Sequence, residues 1–215
     1  LARYEQQVLG TVLTGDPLSP HAGLIRRTRA VSPLAIQSAA EGEELCAVGF
    51  IDHDERCDLF GDGEPHPILD FEGQVVVVTP ELHATLREDL ADGEPFLILG
   101  TVGRHSHARY LRAHAVLPLD RVERMAGAIA AVGLDLAQEN RRTVKHLIAL
   151  CQQYPGATKI ELTAPPPGVS RRLTHRLESL SVLCVPPLMM GLRKILPEEA
   201  ITLRQRHAAE VAVAV

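Results

Sequence analysis

Residues 74–99 read QVVVVTPELHATLREDLADGEPFLIL, and this stretch decides how the first half of the chain folds. Gln74 to Thr79 is dominated by β-branched residues and is too short for a helix, so it reads as a buried strand. Thr79-Pro80-Glu81 then supplies a helix start: a hydroxyl at the N-cap, proline at the first position and an acid in the first turn. Leu82, Leu86 and Leu90 recur every four residues and form one buried stripe that ends near Gly93. From Phe96 to Val102 the chain is again an apolar strand.

Working outward, Pro67 to Phe71 is a strand joined to the run at Glu72-Gly73, a pair suited to a tight hairpin turn. Arg109 to Leu117 is a further strand beyond the polar loop 103–108, carrying Tyr110, Arg112, His114 and Val116. Upstream, Leu45, Ala47, Gly49 and Ile51 interleave with Cys46, Val48 and Phe50, the pattern of a strand buried on both sides. The segment Asp52 to Pro67, with Gly61 and Gly63, reads as a long loop or ragged hairpin. The order is βββαββ. A helix between the third and fourth of five strands is the layout of an OB-type barrel, whose strands 2 and 3 and whose 1–2 and 4–5 loops usually contact the ligand.

The flanks complete an α+β, mainly β, reading. Residues 1–40 are expected to be a helical connector: Tyr4, Val8 and Val12 lie one turn apart before Gly15 and Pro17, and His21 to Arg29 suggests a second short helix. Residues 41–119 form the OB domain. Residues 120–207 are expected to be a small ferredoxin-like α+β domain of order βαββαβ. Its elements are a strand at Ile129 to Leu136, a helix at about Gln138 to Tyr154 and a strand at Lys159 to Thr163. An extended stretch at Ser170 to Cys184, a helix at Pro186 to Leu196 and a strand at Ala200 to Arg204 complete it. Residues 208–215 are a tail.

The chain has 215 residues, is 46% hydrophobic and 23% charged, and carries a net charge of −5, a globular composition. No apolar run reaches membrane-spanning length. Leu1 is not an initiator methionine and no secretory signal opens the sequence, so the expectation is an internal piece of a larger protein. Cys46, Cys57, Cys151 and Cys184 form no CxxC pair, which argues against a zinc site or a disulfide framework and fits a reducing cytoplasm. Charge is unevenly laid out: residues 41–64 hold nine acids against Arg56 alone, whereas residues 141–207 hold eleven bases against four acids.

Three polar groupings bear on function. The cluster Asp52-His53-Asp54-Glu55 with Asp58 and Asp62 lacks the spacing of a calcium loop, and it reads as a solvated acidic loop that repels phosphates. The 4–5 loop carries Arg104, His105, His107, Arg109 and Arg112, a candidate contact for a nucleic-acid backbone beside the plainer reading of a solvated hairpin tip and the remoter one, through His-x-His, of a metal. Phe71 and Tyr110 are its candidate stacking platforms. In the basic region Arg171, Arg172, His175 and Arg176 are read on a strand, Arg172 and Arg176 on one face and Arg171 and His175 on the other, leaving no one-sided stripe. A guarded edge strand and a docking surface both fit. No nucleophile elbow, P-loop, dinucleotide fingerprint or HExxH motif is present, so no catalytic residue, metal or cofactor is assigned.

The opening Tyr4-Glu5-Gln6-Gln7-Val8-Leu9-Gly10-Thr11-Val12-Leu13-Thr14-Gly15-Asp16-Pro17-Leu18 resembles the E-x-x-x-L-G-x-x-L-[ST]-G-H-P-L segment ahead of the OB domain in alpha subunits of bacterial DNA polymerase III, a C-family replicative polymerase. Tyr154-Pro155-Gly156 and the run from Val185-Pro186-Pro187-Leu188 to Leu203 extend the resemblance over nearly the whole chain. Asp16 stands where the family usually has His, and the 1–2 loop, often basic, is acidic here. The resemblance implies a cytoplasmic, non-catalytic C-terminal part that lies near single-stranded template and docks the tau subunit of the clamp loader. Arg171, Arg172, Arg176, Arg193 and Lys194 are the candidate docking residues. It places the polymerase carboxylates, their magnesium and the main contact with the sliding clamp upstream, in the parent chain. A stand-alone OB-fold nucleic-acid-binding or interaction module is the alternative.

Overall fold

The computed structural model describes residues 17–60, 65–86, 90, 93–106 and 108–206. The expected helix over Tyr4 to Leu13, and the candidate His107, lie outside these residues. The chain divides into two compact units between Arg121 and Val122.

The first unit begins with a 3-10 turn at Ser19–His21 and two short helices, α1 (Ala22–Thr28) and α2 (Ala35–Ser38). Five strands follow: β1 (Glu44–Cys57), β2 (His66–Phe71), β3 (Gln74–Val77), β4 (Pro95–His105) and β5 (Ala108–Pro118). Helix α3 (Pro80–Leu86) lies between β3 and β4. The strands close into a ring in the order β1-β2-β3-β5-β4. All pairs are antiparallel except β3 with β5, which run parallel through Val76 to Leu111 and Val77 to Arg112.

Closure depends on the length of β1. Its first half, Glu44 to Phe50, pairs with β4, and its second half, Ile51 to Cys57, pairs with β2 after an irregularity at Ile51/His53. The expected loop from Asp52 is therefore strand as far as Cys57. Exposed charged side chains hid it: Asp52 to Arg56 are all exposed, so no apolar alternation marks them. Glu72 and Gly73 both have positive φ (51° and 78°), as the tight turn joining β2 to β3 requires.

The ring's interior holds Leu69, Phe71, Val76, Phe96, Ile98, Leu111 and Val116, with Leu82, Leu86 and Leu90 packed at or against it. Ile36 and Ala39 join the same core, so the segment expected to be a connector helps fill the first unit. The α3 start is as the sequence suggests: the Leu82 amide donates to Thr79 Oγ1 at 3.3 Å. A hydrogen bond from the Glu81 backbone amide, with the Thr79 hydroxyl beside it, holds the Glu81 carboxyl below its ordinary pKa.

The second unit differs from the expected βαββαβ order. Helix α4 (Leu119–Ala128) spans the division and leads into β6 (Ile129–Asp135), α5 (Arg141–Cys151), β7 (Pro155–Ala164), α6 (Arg171–Glu178), β8 (Ser181–Val182), α7 (Pro186–Ile195), a 3-10 turn and β9 (Ile201–Gln205). The sheet order is β8-β7-β6-β9, with β6 and β7 parallel and the outer pairs antiparallel. The expected extended stretch Ser170 to Cys184 is thus mostly helix α6, and the ferredoxin-like assignment gives way to a βαβ unit with an antiparallel strand on each side. Val132, Leu134, Val144, Leu147, Ile148, Ile160, Leu177, Leu188 and Leu192 are buried in this unit. No helix among the described residues is long and apolar enough to cross a membrane.

Candidate nucleic-acid interface

The β4–β5 hairpin carries most of the candidate nucleic-acid residues, and its register sets their partners. Arg104 lies directly opposite Arg109, and Gly103 opposite Tyr110. Two like charges directly opposite across a strand pair repel, which disfavours this pairing. Arg104 is exposed and its Nε donates to the Ser106 carbonyl at 3.3 Å. Arg109 is half-buried, and its buried Nη1 has no acceptor among the described residues. Arg112 is exposed, with Nη2 3.5 Å from the Tyr110 hydroxyl.

The aromatic candidates do not serve as stacking platforms. Phe71 is 0% exposed inside the ring, so it fills the core instead of meeting a base. Tyr110 is 8% exposed on the outer surface, in a small apolar cluster with Ile68 and Val77 under Leu59 and Phe60. Phe60 covers it edge-on with ring centroids 5.5 Å apart, and stands edge-on to His66 (4.9 Å) and His105 (5.8 Å) as well. Sequence reading missed Phe60, because it lies in a turn-rich segment with no periodicity to mark it.

Two histidine–carboxylate contacts lie along the acidic half of β1. His83, 4% exposed on α3, brings Nε2 to 2.7 Å from Asp54 Oδ2, and His53 Nδ1 lies 3.5 Å from Asp70 Oδ2. Glu55 and Asp58 keep the strand's end acidic.

The second unit gathers the basic candidates differently from the strand reading. On helix α6, residues 171, 172, 175 and 176 fall within one side of the cylinder, because positions three and four apart are neighbours. Arg171, Arg172, His175 and Arg176 are all exposed there, while Leu177 is buried. A one-sided basic face therefore exists where the strand reading leaves none. The missed signal was Leu173, Leu177 and Leu180 at helical spacing after a proline-glycine turn. A concave pocket of about 250 Å³ opens beside this face, lined by Arg141, Ser170, Arg172, Leu173 and Arg176. Arg193 and Lys194 are not among its lining; they occupy the last turn of α7, where Arg193 pairs with Glu198 at 2.9 Å.

The cysteines are unpaired thiols. Burial pushes Cys46 up to about 12, and Cys151 and Cys184 up to about 11, which keeps them protonated and poor nucleophiles.

No family model and no curated protein matches the sequence. Among solved structures, the chain is similar to the OBody AM1L10 bound to hen egg-white lysozyme, at 18% identity, covering 37% of this chain and 80% of that one with a TM-score of 0.28. A likeness of that extent carries no functional argument.

Proposed function

We propose that this chain is a non-catalytic docking and nucleic-acid-handling module, the OB-type barrel and tau-binding region at the C-terminal end of a C-family replicative polymerase alpha subunit. The observation that carries the reading is the ring order β1-β2-β3-β5-β4 with a parallel β3–β5 seam and a helix between β3 and β4. That order supports an OB-barrel reading, and the Tyr4 to Leu18 segment resembling the polymerase family precedes it.

Within this reading the barrel positions template weakly, through Arg104, Arg109 and Arg112 on its 4–5 hairpin, since the candidate platforms Phe71 and Tyr110 are buried and the far half of β1 is acidic. Protein docking falls to the second unit, whose exposed basic face on α6 and charged end of α7 suit an acidic partner surface.

The test is titration calorimetry of the purified chain with a clamp-loader tau subunit, alongside the charge-reversed variant Arg171→Glu/Arg193→Glu. A saturable complex weakened by the variant is the expected result. No heat of binding to tau at protein concentrations of about 50 μM would refute the docking role.

A further inference from the structure

We propose that the pocket beside the starts of α5 and α6 is a phosphate-binding site, a role separate from partner docking and independent of the polymerase reading. Three guanidinium groups, from Arg141, Arg172 and Arg176, line about 250 Å³, together with Ser170 and Leu173 and with no carboxylate. Among the described residues none of the three arginines has an ion pair or a side-chain hydrogen bond. Elsewhere in this unit Arg193 and Arg204 are matched by Glu198 and Glu161. Three cations around one concavity repel one another, and an oxyanion bound between them removes that repulsion.

The backbone agrees with the side chains. Arg141 is the first residue of α5 and Arg172 the second of α6, so both helices begin at the pocket and direct the positive ends of their dipoles towards it. The two starts are finished differently. Asn140 Oδ1 accepts from the Arg142 and Thr143 amides at 2.8 and 3.2 Å, closing the α5 end. Ser170, at the α6 N-cap, makes no side-chain capping bond, so its exposed hydroxyl remains available to a ligand lining the same pocket. Planar guanidinium forks present paired donors that match phosphate oxygens, which favours phosphate over a spherical anion such as chloride. Leu173 adds one apolar wall, as the carbon flank of a phosphate ester would need.

The phosphate could be a free ion or a diester in a nucleic-acid strand, and the experiment separates these sources. Amide and arginine Nε resonances of the full chain are followed by NMR while inorganic phosphate is added at about 50 mM salt. The same titration is run on Arg172→Gln/Arg176→Gln and on Arg204→Gln, a charge loss elsewhere in the unit. Saturable shifts confined to residues around 141 and 170–176, with a Kd on the order of 1 mM or tighter, are expected. They should weaken about tenfold in the double variant and stay unchanged in Arg204→Gln. In a parallel arm, binding of a single-stranded oligonucleotide is measured against salt. If a strand supplies the phosphate, the double variant lowers the slope of log K against log salt by about 1.4. An unchanged slope with phosphate binding lost assigns the site to free phosphate. Shifts that fail to saturate, spread over the whole chain, or weaken equally in Arg204→Gln overturn the proposal. A matching urea melt for the double variant excludes unfolding, since both side chains are exposed.

Discussion

Gly103 and Tyr110 sit opposite each other on the β4–β5 pair, and the tyrosine ring lies over the glycine so closely that a Cβ there would overlap it. Phe60 packs edge-on against that ring with centroids 5.5 Å apart, which limits its retreat on that side. Gly103→Ala should therefore cost about 1 to 3 kcal/mol in a urea melt. The same substitution should cost far less when made in a Tyr110→Ala chain; equal costs in both backgrounds would disprove the contact. The thiols give a pH signature. The folded pKa values of Cys46, Cys151 and Cys184 lie above the ordinary value of 9.0, so the folded state is favoured up to about that pH. Above it the unfolded chain ionises first and stability falls as pH rises towards 11. For Cys151 the slope is about 1.4 kcal/mol per pH unit. Comparing urea stability of Cys151→Ala with the parent between pH 9 and 10.5 should show a shallower fall in the variant; parallel curves would refute it.

At the level of elements, the two helix starts facing the basic pocket make opposite expectations. Asn140→Ala removes two accepted amide bonds and should destabilise the second unit by about 1 kcal/mol. Ser170→Ala removes no capping bond and should leave the urea midpoint within experimental error. A large loss for Ser170→Ala would mean its hydroxyl caps α6 after all. The same elements mark what could be read in the sequence. Strands β2 to β5, the Glu72-Gly73 turn and α3 were legible because apolar periodicity, glycine and an N-cap agreed locally. The second half of β1 was not, since Asp52 to Arg56 pair by backbone while their side chains stay in water. Helix α6 was hidden because Arg, His and Glu fill its exposed positions, leaving only Leu173, Leu177 and Leu180 to carry the period. Helix α4 was passed over for a similar reason: Leu119, Val122 and Ala126 are its buried positions, among charged residues and the exposed Met125. Of the candidate site, the hairpin arginines were readable as a charged loop. The covering of Tyr110 by Phe60 was not, because it joins residues fifty positions apart.

For the whole molecule, charge and burial together set the expectation for nucleic acid. The ring's exposed cations are few, Phe71 and Tyr110 are buried, and the chain as a whole carries −5. Single-stranded oligonucleotide at about 150 mM salt should bind more weakly than about 1 μM by fluorescence anisotropy. Sub-micromolar binding would contradict this and favour the stand-alone module. The two-sided pairing of β1 also governs how the first unit can form. Apart from a bridge to Val31, residues Glu44 to Phe50 find their strand partners at Pro95 to Thr101, whereas β2 and β3 meet across a two-residue turn. During synthesis the β2–β3 hairpin can therefore form early, while the edge of β1 that pairs with β4 waits unmatched until β4 emerges. Such non-local pairing slows folding and lengthens the exposure of an open edge. The acidic stretch at the far end of β1, of no evident use for holding phosphate, would keep that waiting strand from pairing with another chain.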